Sequence, residues 1–176
     1  RVTAVSRGDG GFVVATEREQ YRARSVLLAI GRRGTPRRLG IPGEELPKVV
    51  YRLLEPEQYR GQRVLVVGGG DSALEAALAL AAQPRTEVLL SYRGEAFSRA
   101  KRENRERLQE AEAAGRLRVM LAATPIAIRS DSVEIESESG CKEIGNDVVI
   151  VCAGGILPTA FLRAAGVEIE VRHGGA

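Results

Sequence analysis

Two periods of hydrophobic positions alternate along this chain. Near its start, Val2-Thr3-Ala4-Val5 and Phe12-Val13-Val14-Ala15-Thr16 are short β-type runs. Between them, Arg7-Gly8-Asp9-Gly10-Gly11 supplies several residues able to take positive φ, so the segment is predicted to be a hairpin. The run Ser25 to Ile30, apolar after its first residue, stops at Gly31 in the manner of a buried strand. Pro36, Pro42 and Pro47, with glycines among them, then exclude helix and central strand, and a crossover between domains is expected there.

Beyond the crossover the period changes. Arg63-Val64-Leu65-Val66-Val67 is a continuous β-branched run that ends in Gly68-Gly69-Gly70, and Asp71 to Ala82 carries alanine and leucine at helical spacing. Pro84 stops that helix and Thr86 to Ser91 supplies a further strand, which completes a unit of about 30 residues, long enough for a right-handed parallel crossover. A helix from about Lys101 to Ala114, stopped by Gly115, leads to a strand from Leu117 to Leu121. Ile126 to Arg129 and Val133 to Ser137, parted by Ser130-Asp131, read as a β-meander arm, and the more apolar run Asp147 to Ala153 reads as a return strand. After Gly154 come a loop, a weak helix from Thr159 to Ala165 and a basic tail. The pattern predicts an α/β fold, with a Rossmann-like, three-layer parallel sheet, helices, a β-meander arm and a short β-hairpin beside it.

Composition narrows the picture. The chain has 176 residues, 44% of them hydrophobic, enough for one principal core and a small second sheet. No apolar run approaches the roughly 20 residues that cross a bilayer, and Arg1-Val2-Thr3-Ala4 has no secretory apolar region, so a cytoplasmic protein without a membrane partner is expected. The net charge is +3, with lysine at only three positions, Lys48, Lys101 and Lys142. The densest basic stretch, Arg99 to Arg107, interleaves Glu103 and Glu106 and pairs Glu103 with Arg107 at i,i+4, which is a solvated helix face and not a nucleic-acid surface. Cys141 and Cys152 form neither a disulfide framework nor a Cys-x-x-Cys pair, and with a single histidine, His173, metal and triad chemistry have little to work with. No metal site and no catalytic side chain are expected.

The chemistry lies at Gly68-x-Gly70-x-x-Ala73. This spacing fits the dinucleotide fingerprint in the context it requires, directly after a strand and opening a helix. Gly68 permits the tight turn, Gly70 lets a pyrophosphate approach the backbone, and Ala73 lets the helix lie close on the sheet. The unpaired N–H groups of the first helical turn and the positive end of its dipole then face the phosphates. Specificity is read at the end of the next strand. An acidic residue there accepts hydrogen bonds from the ribose 2′-hydroxyl of NAD, whereas arginine accommodates the 2′-phosphate of NADP. Here the strand ends Leu90-Ser91-Tyr92-Arg93, no carboxylate stands at the tip, and Arg93 and Arg99 are close enough in sequence to clamp a phosphate. NADPH is therefore expected over NADH, with Glu95 as a carboxylate that a loop could turn inward.

Val66-Val67-Gly68-Gly69-Gly70-Asp71-Ser72-Ala73-Leu74-Glu75 is similar to the NADPH-domain fingerprint of the thioredoxin-reductase-like pyridine nucleotide-disulfide oxidoreductases. Leu27 to Gly31, Pro36 and Ile41-Pro42-Gly43-Glu44 resemble the segment by which that family's chain leaves its FAD domain, with Ile30 where threonine is usual. Val149 to Gly155, Pro158 and Phe161-Leu162 resemble the segment by which it returns. Tyr92-Arg93 and Phe97-x-Arg99-x-Lys101 resemble the family's 2′-phosphate signature, with Gly94 in place of a second arginine and one residue inserted.

The resemblance implies that Gly68, Gly69, Gly70, Asp71, Ser72, Ala73, Glu75, Tyr92, Arg93, Arg99, Ala153, Gly154 and Gly155 bind the nicotinamide dinucleotide, Glu75 on the nicotinamide side. It implies residues 1–34 as a remnant of the FAD domain, 35–61 as a crossover linker, 62–155 as the NAD(P)H-binding domain and 156–176 as the return segment. The family's FAD motifs would precede Arg1 and follow Ala176, so this chain alone is expected neither to hold FAD nor to turn over. In the full-length enzyme the hydride of NADPH would pass to FAD, held by the FAD domain of the same chain. Rotation about Gly34-Thr35-Pro36 and Gly154-Gly155 would bring the two domains together. The segment Tyr51 to Arg60 contains no cysteine, where thioredoxin reductase proper carries its redox pair. Electrons would therefore go to another, unidentified acceptor, as in ferredoxin-NADP reductases of this fold and bacillithiol-disulfide-reductase-like proteins. Two alternatives remain: a flavin-dependent monooxygenase fragment, whose histidine-bearing linker motif is not found, and a non-catalytic NAD(P)H sensor.

Overall fold

The first hairpin forms around its glycine-rich turn. In the computed structural model, which describes residues 1–30 and 35–170, β1 (Val2–Gly8) pairs antiparallel with β2 (Gly11–Thr16). Gly10 between them holds φ +76°, which glycine adopts at no steric cost. A strand not legible in the sequence, β3 (Gln20–Ala23), extends this sheet along β2. The turn into it is closed by Thr16, whose hydroxyl donates to the Glu19 carbonyl at 2.9 Å and accepts from the Glu19 N–H at 3.0 Å.

The expected buried strand from Ser25 to Ile30 is not formed. Leu27 is 93% exposed and Ile30 49%. A fully buried strand needs neighbours along both edges and cover on both faces, and none of the described strands pairs with this run. Gly31, its expected end, Gly34 of the expected crossover, and His173 lie outside the described residues.

The chain divides into two units, Arg1–Thr35 with Gly155–Ala176, and Pro36–Gly154. The short strand β4 (Thr35–Pro36) falls at the division. The second unit runs through β5 (Val49–Val50), a 3-10 turn (Pro56–Tyr59), β6 (Arg63–Val67), α1 (Asp71–Ala81), β7 (Glu87–Ser91), α2 (Arg102–Ala113), β8 (Arg118–Met120), β9 (Thr124–Ile128), β10 (Ser132–Ser137), β11 (Gly140–Gly145) and β12 (Val148–Val151). At the division again lies β13 (Gly155–Ile156), and α3 (Thr159–Ala164) packs on β1 within the first unit.

Five strands of the second unit form a parallel sheet in the order β5-β12-β6-β7-β8. Successive side chains of a strand point to opposite faces, and here both faces are covered. Val64, Val66, Val88, Leu90 and Ile150 join Leu74, Ala77 and Leu80 of α1 and Leu108 and Ala111 of α2 in one core. Leu65, Val67, Leu89, Val149 and Val151 join Ile128, Val133 and Ile135 of the antiparallel sheet β9-β10-β11 in the other. The result is three layers, with helices on one side and the meander on the other. The continuous β-branched runs follow from this double burial, and each fully buried Leu, Ile or Val contributes roughly 1.5–3 kcal/mol.

The meander has three strands, one more than its two apolar runs predict. Gly140–Gly145 is an outer strand, exposed except at Ile144, which pairs in register with Val133. An edge strand that buries one side chain has no hydrophobic period to read.

Of the expected linker 35–61, residues 36–61 belong to the second unit and pack into it. Leu39, Ile41, Leu46, Val49 and Tyr51 lie against the meander-side core, and Val50, Leu53 and Tyr59 against the helix-side core. Glu44 organises this segment. It is 7% exposed and accepts hydrogen bonds from the Leu39 N–H, from the Gly40 N–H at 2.8 Å and from the Tyr51 hydroxyl at 2.7 Å. Burial pushes its carboxyl up, but the bonds from Tyr51, Leu39 and Gly40, with the charge of Arg38, outweigh that and hold it below its ordinary value. Burial and the same contact push the Tyr51 phenol up to about 12.

Because folding lowers the Glu44 pKa, its contribution is complete above the unfolded-state value of about 4.3 and is lost as pH falls through the folded value. Glu44→Gln, which exchanges one accepting oxygen for a donor, is expected to destabilise by about 1–3 kcal/mol at pH 7. The difference from the unmodified chain should narrow with acidification through pH 4. Urea unfolding of both at pH 7 and pH 3.5 checks this, and a gap independent of pH would show that the carboxylate charge is not what holds the loop.

Candidate functional site

The crossover that builds the sheet also makes a crevice. From β6 the chain proceeds outward through β7 and β8, then returns to place β12 on the other side of β6. The carboxyl ends of β6 and β12 therefore flank a topological switch point, where open parallel sheets bind their ligands. Gly68-Gly69-Gly70 leaves β6 there, and Cys152-Ala153-Gly154 leaves β12.

The three glycines serve different geometries. Gly68 has φ +149°, and a Cβ on it would stand 2.5 Å from the Cys152 carbonyl oxygen and 3.1 Å from the Ala73 Cβ. Its N–H donates to the Ser91 carbonyl at 3.0 Å. Gly68 is thus where the turn passes between β12 and α1. A Cβ on Gly69 would run into the Tyr92 ring. Gly70 is the residue before α1, with φ −100° and ψ 175°, and a Cβ on it would meet no protein atom within 4 Å. Its side of the turn is open.

No side chain caps the N-terminus of α1. Ala73 and Leu74 donate to the Gly70 carbonyl at 2.9 and 3.2 Å, and Ala73, 0% exposed, brings the helix onto the sheet. An uncapped first turn beside an open glycine is an anion-binding geometry. Asp71 does not fill it. Its carboxylate accepts from the Lys101 N–H and from Asn104 Nδ2, both at 2.8 Å, and these two bonds, the Lys101 one foremost, hold the carboxyl below its ordinary value. Ser72 and Glu75 are exposed on the same helix, and Glu75 also accepts from Asn104 at 3.2 Å.

The loop after β7 covers the second side. Tyr92 stacks on Phe97 with ring centroids 5.3 Å apart and planes 16° from parallel. Gly94, which stands where the family pattern has an arginine, lies against the same ring, and a Cβ there would come within 2.8 Å of it. Arg93 and Arg99 are exposed and have no ion-pair partner among the described residues. Ala153 is half-buried at the end of β12, Gly154 is exposed and accepts from the Arg37 N–H at 3.0 Å, and Gly155 begins β13 in the first unit.

Sequence reasoning missed Asn104. It is 5% exposed and shares the buried face of α2 with Leu108 and Ala111, at positions i, i+4 and i+7. An asparagine on an apolar helix stripe must find partners. That was the available signal. The surroundings of Cys141 disfavour its thiolate, because its thiol donates to Glu134 at 3.2 Å, which pushes its pKa up; Cys152 stands half-buried just after β12.

Residues 1–174 match the family model described as pyridine nucleotide-disulphide oxidoreductase. The chain is 34% identical over 169 residues to the bacilliredoxin reductase Bdr of Bacillus subtilis (strain 168), an alignment covering 93% of this chain and 51% of that protein. It is 38% identical over 96 residues to a ferredoxin-NADP reductase of Ignicoccus hospitalis, covering 54% of this chain and 31% of that one. The bacillithiol disulfide reductase Bdr of Staphylococcus aureus superposes with a TM-score of 0.85 at 27% identity, covering 97% of this chain and 53% of the other. The chain thus spans about half the length of these two reductases called Bdr. Among the described residues, no helix is long and apolar enough to cross a membrane.

Proposed function

The chain belongs to the pyridine nucleotide-disulphide oxidoreductase family, and from that premise we propose that it is the NADPH-binding part of a flavin-dependent oxidoreductase. The observation that carries the reading is the open Gly70 face at the uncapped N-terminus of α1, on the switch-point side of β6. A pyrophosphate fits this cradle because no side chain intrudes and the first N–H groups of α1 point into it.

In this reading Gly68 to Ala73 hold the pyrophosphate, with Gly69 kept free of a side chain by the Tyr92 ring above it. Arg93 and Arg99 pair with the 2′-phosphate, for which the lack of an acidic partner among the described residues leaves them available. Glu75, at the start of the helix, lies on the nicotinamide side, and Ala153 and Gly154, which follow β12, border the crevice. NADPH supplies the hydride chemistry when bound, and the chain's own residues bind it, orient it and contribute no acid or base. The acceptor beyond the flavin differs among relatives, whose names specify ferredoxin in one case and bacilliredoxin in another. The sequence, with no Cys-x-x-Cys, favours an acceptor reached without a dithiol in this chain.

Calorimetric titration of the chain with NADPH and with NADH, together with an absorbance scan for flavin, tests this. Binding of NADPH in the micromolar range, about −8 kcal/mol, and at least tenfold tighter than NADH is the expected result. Equal affinity for the two would remove the arginine assignment, and binding of neither would remove the cradle assignment.

A further inference from the structure

The nine-residue stretch from Tyr92 to Ala100, which carries Arg93 and Arg99, is anchored at both ends to the fingerprint turn and its helix. At its start, the Tyr92 N–H donates to the Met120 carbonyl at 2.9 Å and the Tyr92 ring lies on Gly69 and Gly94. In its middle, Phe97 stacks on that ring, and the Ala100 N–H donates to the Phe97 carbonyl at 3.1 Å, with Ala100 6% exposed. At its end, the Lys101 N–H donates to Asp71 on the first turn of α1. Asn104 ties this end down: one amide group, Nδ2, donates both to Asp71 at 2.8 Å and to Glu75 at 3.2 Å, one helical turn apart. Nδ2 carries two hydrogens, so the pair of acceptors uses its full donor capacity.

We propose that Asn104 is a positioning residue for NADPH specificity: it clasps the start of α2 to the start of α1, and so holds Arg99 and its loop in the conformation that receives the 2′-phosphate. The inference rests on the NADPH reading above and deepens it. Asn104 is buried on the Leu108–Ala111 face of α2 and acts through Asp71 and Lys101. Asp71, although part of the fingerprint, commits its Oδ1 to this clasp, accepting from Lys101 and Asn104, and so fixes the end of the arginine loop. A loop ordered before binding surrenders less entropy when the phosphate arrives, and only the nucleotide that bears a 2′-phosphate gains from it.

The test compares the unmodified chain with Asn104→Ala and with the near-isosteric Asn104→Asp, which keeps the volume but offers no amide donor to two carboxylates. Affinities for NADPH and NADH are measured by calorimetry, and amide hydrogen exchange is followed in the nucleotide-free chain. Both variants are expected to lose about tenfold in NADPH affinity, with less than about twofold change for NADH, and to exchange the Lys101 amide at least about tenfold faster while β6 and β7 amides keep their protection. Equal loss of both nucleotides would mark a merely structural role and overturn the proposal, as would unchanged Lys101 exchange. A preference for NADPH in the unmodified chain that survives in both variants would overturn the proposal alone. No preference in the unmodified chain would overturn the NADPH reading, and the proposal with it.

Discussion

Gly70→Val is expected to fold like the unmodified chain and to lose nucleotide binding. The backbone at Gly70, φ −100° and ψ 175°, is extended and open to any residue, and a Cβ there meets no protein atom within 4 Å. The fold therefore has no steric objection to valine. Valine is a poorer residue than glycine before a helix, which costs on the order of 1 kcal/mol, partly offset by the smaller entropy of its unfolded chain. The ligand meets a different surface. The two methyl groups project over the first turn of α1, where the pyrophosphate must come to backbone distance. A loss of at least about 100-fold in NADPH affinity, close to 2.7 kcal/mol, is expected with a melting temperature within a few degrees of the original. Calorimetry and thermal unfolding on the same sample decide it. Normal NADPH binding by the variant would show that the dinucleotide does not lie on this turn.

Gly68→Ala, two residues earlier, is expected to do the reverse and damage the fold itself. Here φ is +149°, a region that L side chains rarely adopt, and the new Cβ would stand 2.5 Å from the Cys152 carbonyl oxygen and 2.9 Å from its carbon. Both are backbone atoms at the end of β12 and cannot swing aside. Ala73 closes the remaining direction at 3.1 Å. Relief requires the turn to pull away from β12, which would weaken the bond from the Cys152 N–H to the Val67 carbonyl at 2.7 Å. An unfavourable backbone conformation costs about 1–3 kcal/mol and an overpacked contact about as much again, so a loss of roughly 2–6 kcal/mol is expected. Against a total stability of about 5–15 kcal/mol this is severe. Urea unfolding followed by circular dichroism measures it; a variant within about 1 kcal/mol of the original would mean that β6 and β12 are not held together through this turn.

The contrast between these glycines shows where sequence reading stops. Both belong to one fingerprint, and the motif assigns the first to the turn and the second to the phosphate. That division is legible because it depends on spacing and on the strand and helix to either side. The size of the effect at Gly68 is not legible, because it depends on Cys152, 84 positions along the chain, arriving beside it through the crossover to β12. The same holds for Gly94. As a departure from the family pattern it had no explanation, and the explanation is the Tyr92 ring that lies against it.

Ser25 to Ile30 marks the opposite failure. Its continuous apolar composition predicted a buried strand, yet the run forms no strand and leaves Leu27 exposed. Hydrophobic pattern states what a segment needs, and a strand exists only where a partner supplies it. Glu44 and Asn104 were hidden for a related reason. Each is a polar residue among ordinary neighbours in sequence, and each becomes significant because folding brings donors or acceptors to it: Leu39, Gly40 and Tyr51 to the one, Asp71 and Glu75 to the other.

The sequence by itself determined the alternation of strand and helix, the glycine turn at Gly68 to Gly70, the absence of a dithiol pair and the family, because these depend on local periodicity, on steric demands of single residues and on spacing within a few turns of chain. Only the tertiary structure decided that Asp71 holds the start of a second helix through Lys101 and Asn104, that the segment 36–61 packs into the core, and that two glycines of one turn have opposite tolerances. Those outcomes depend on which backbone and side-chain atoms meet across tens of residues, and distance along the chain carries no record of distance in space.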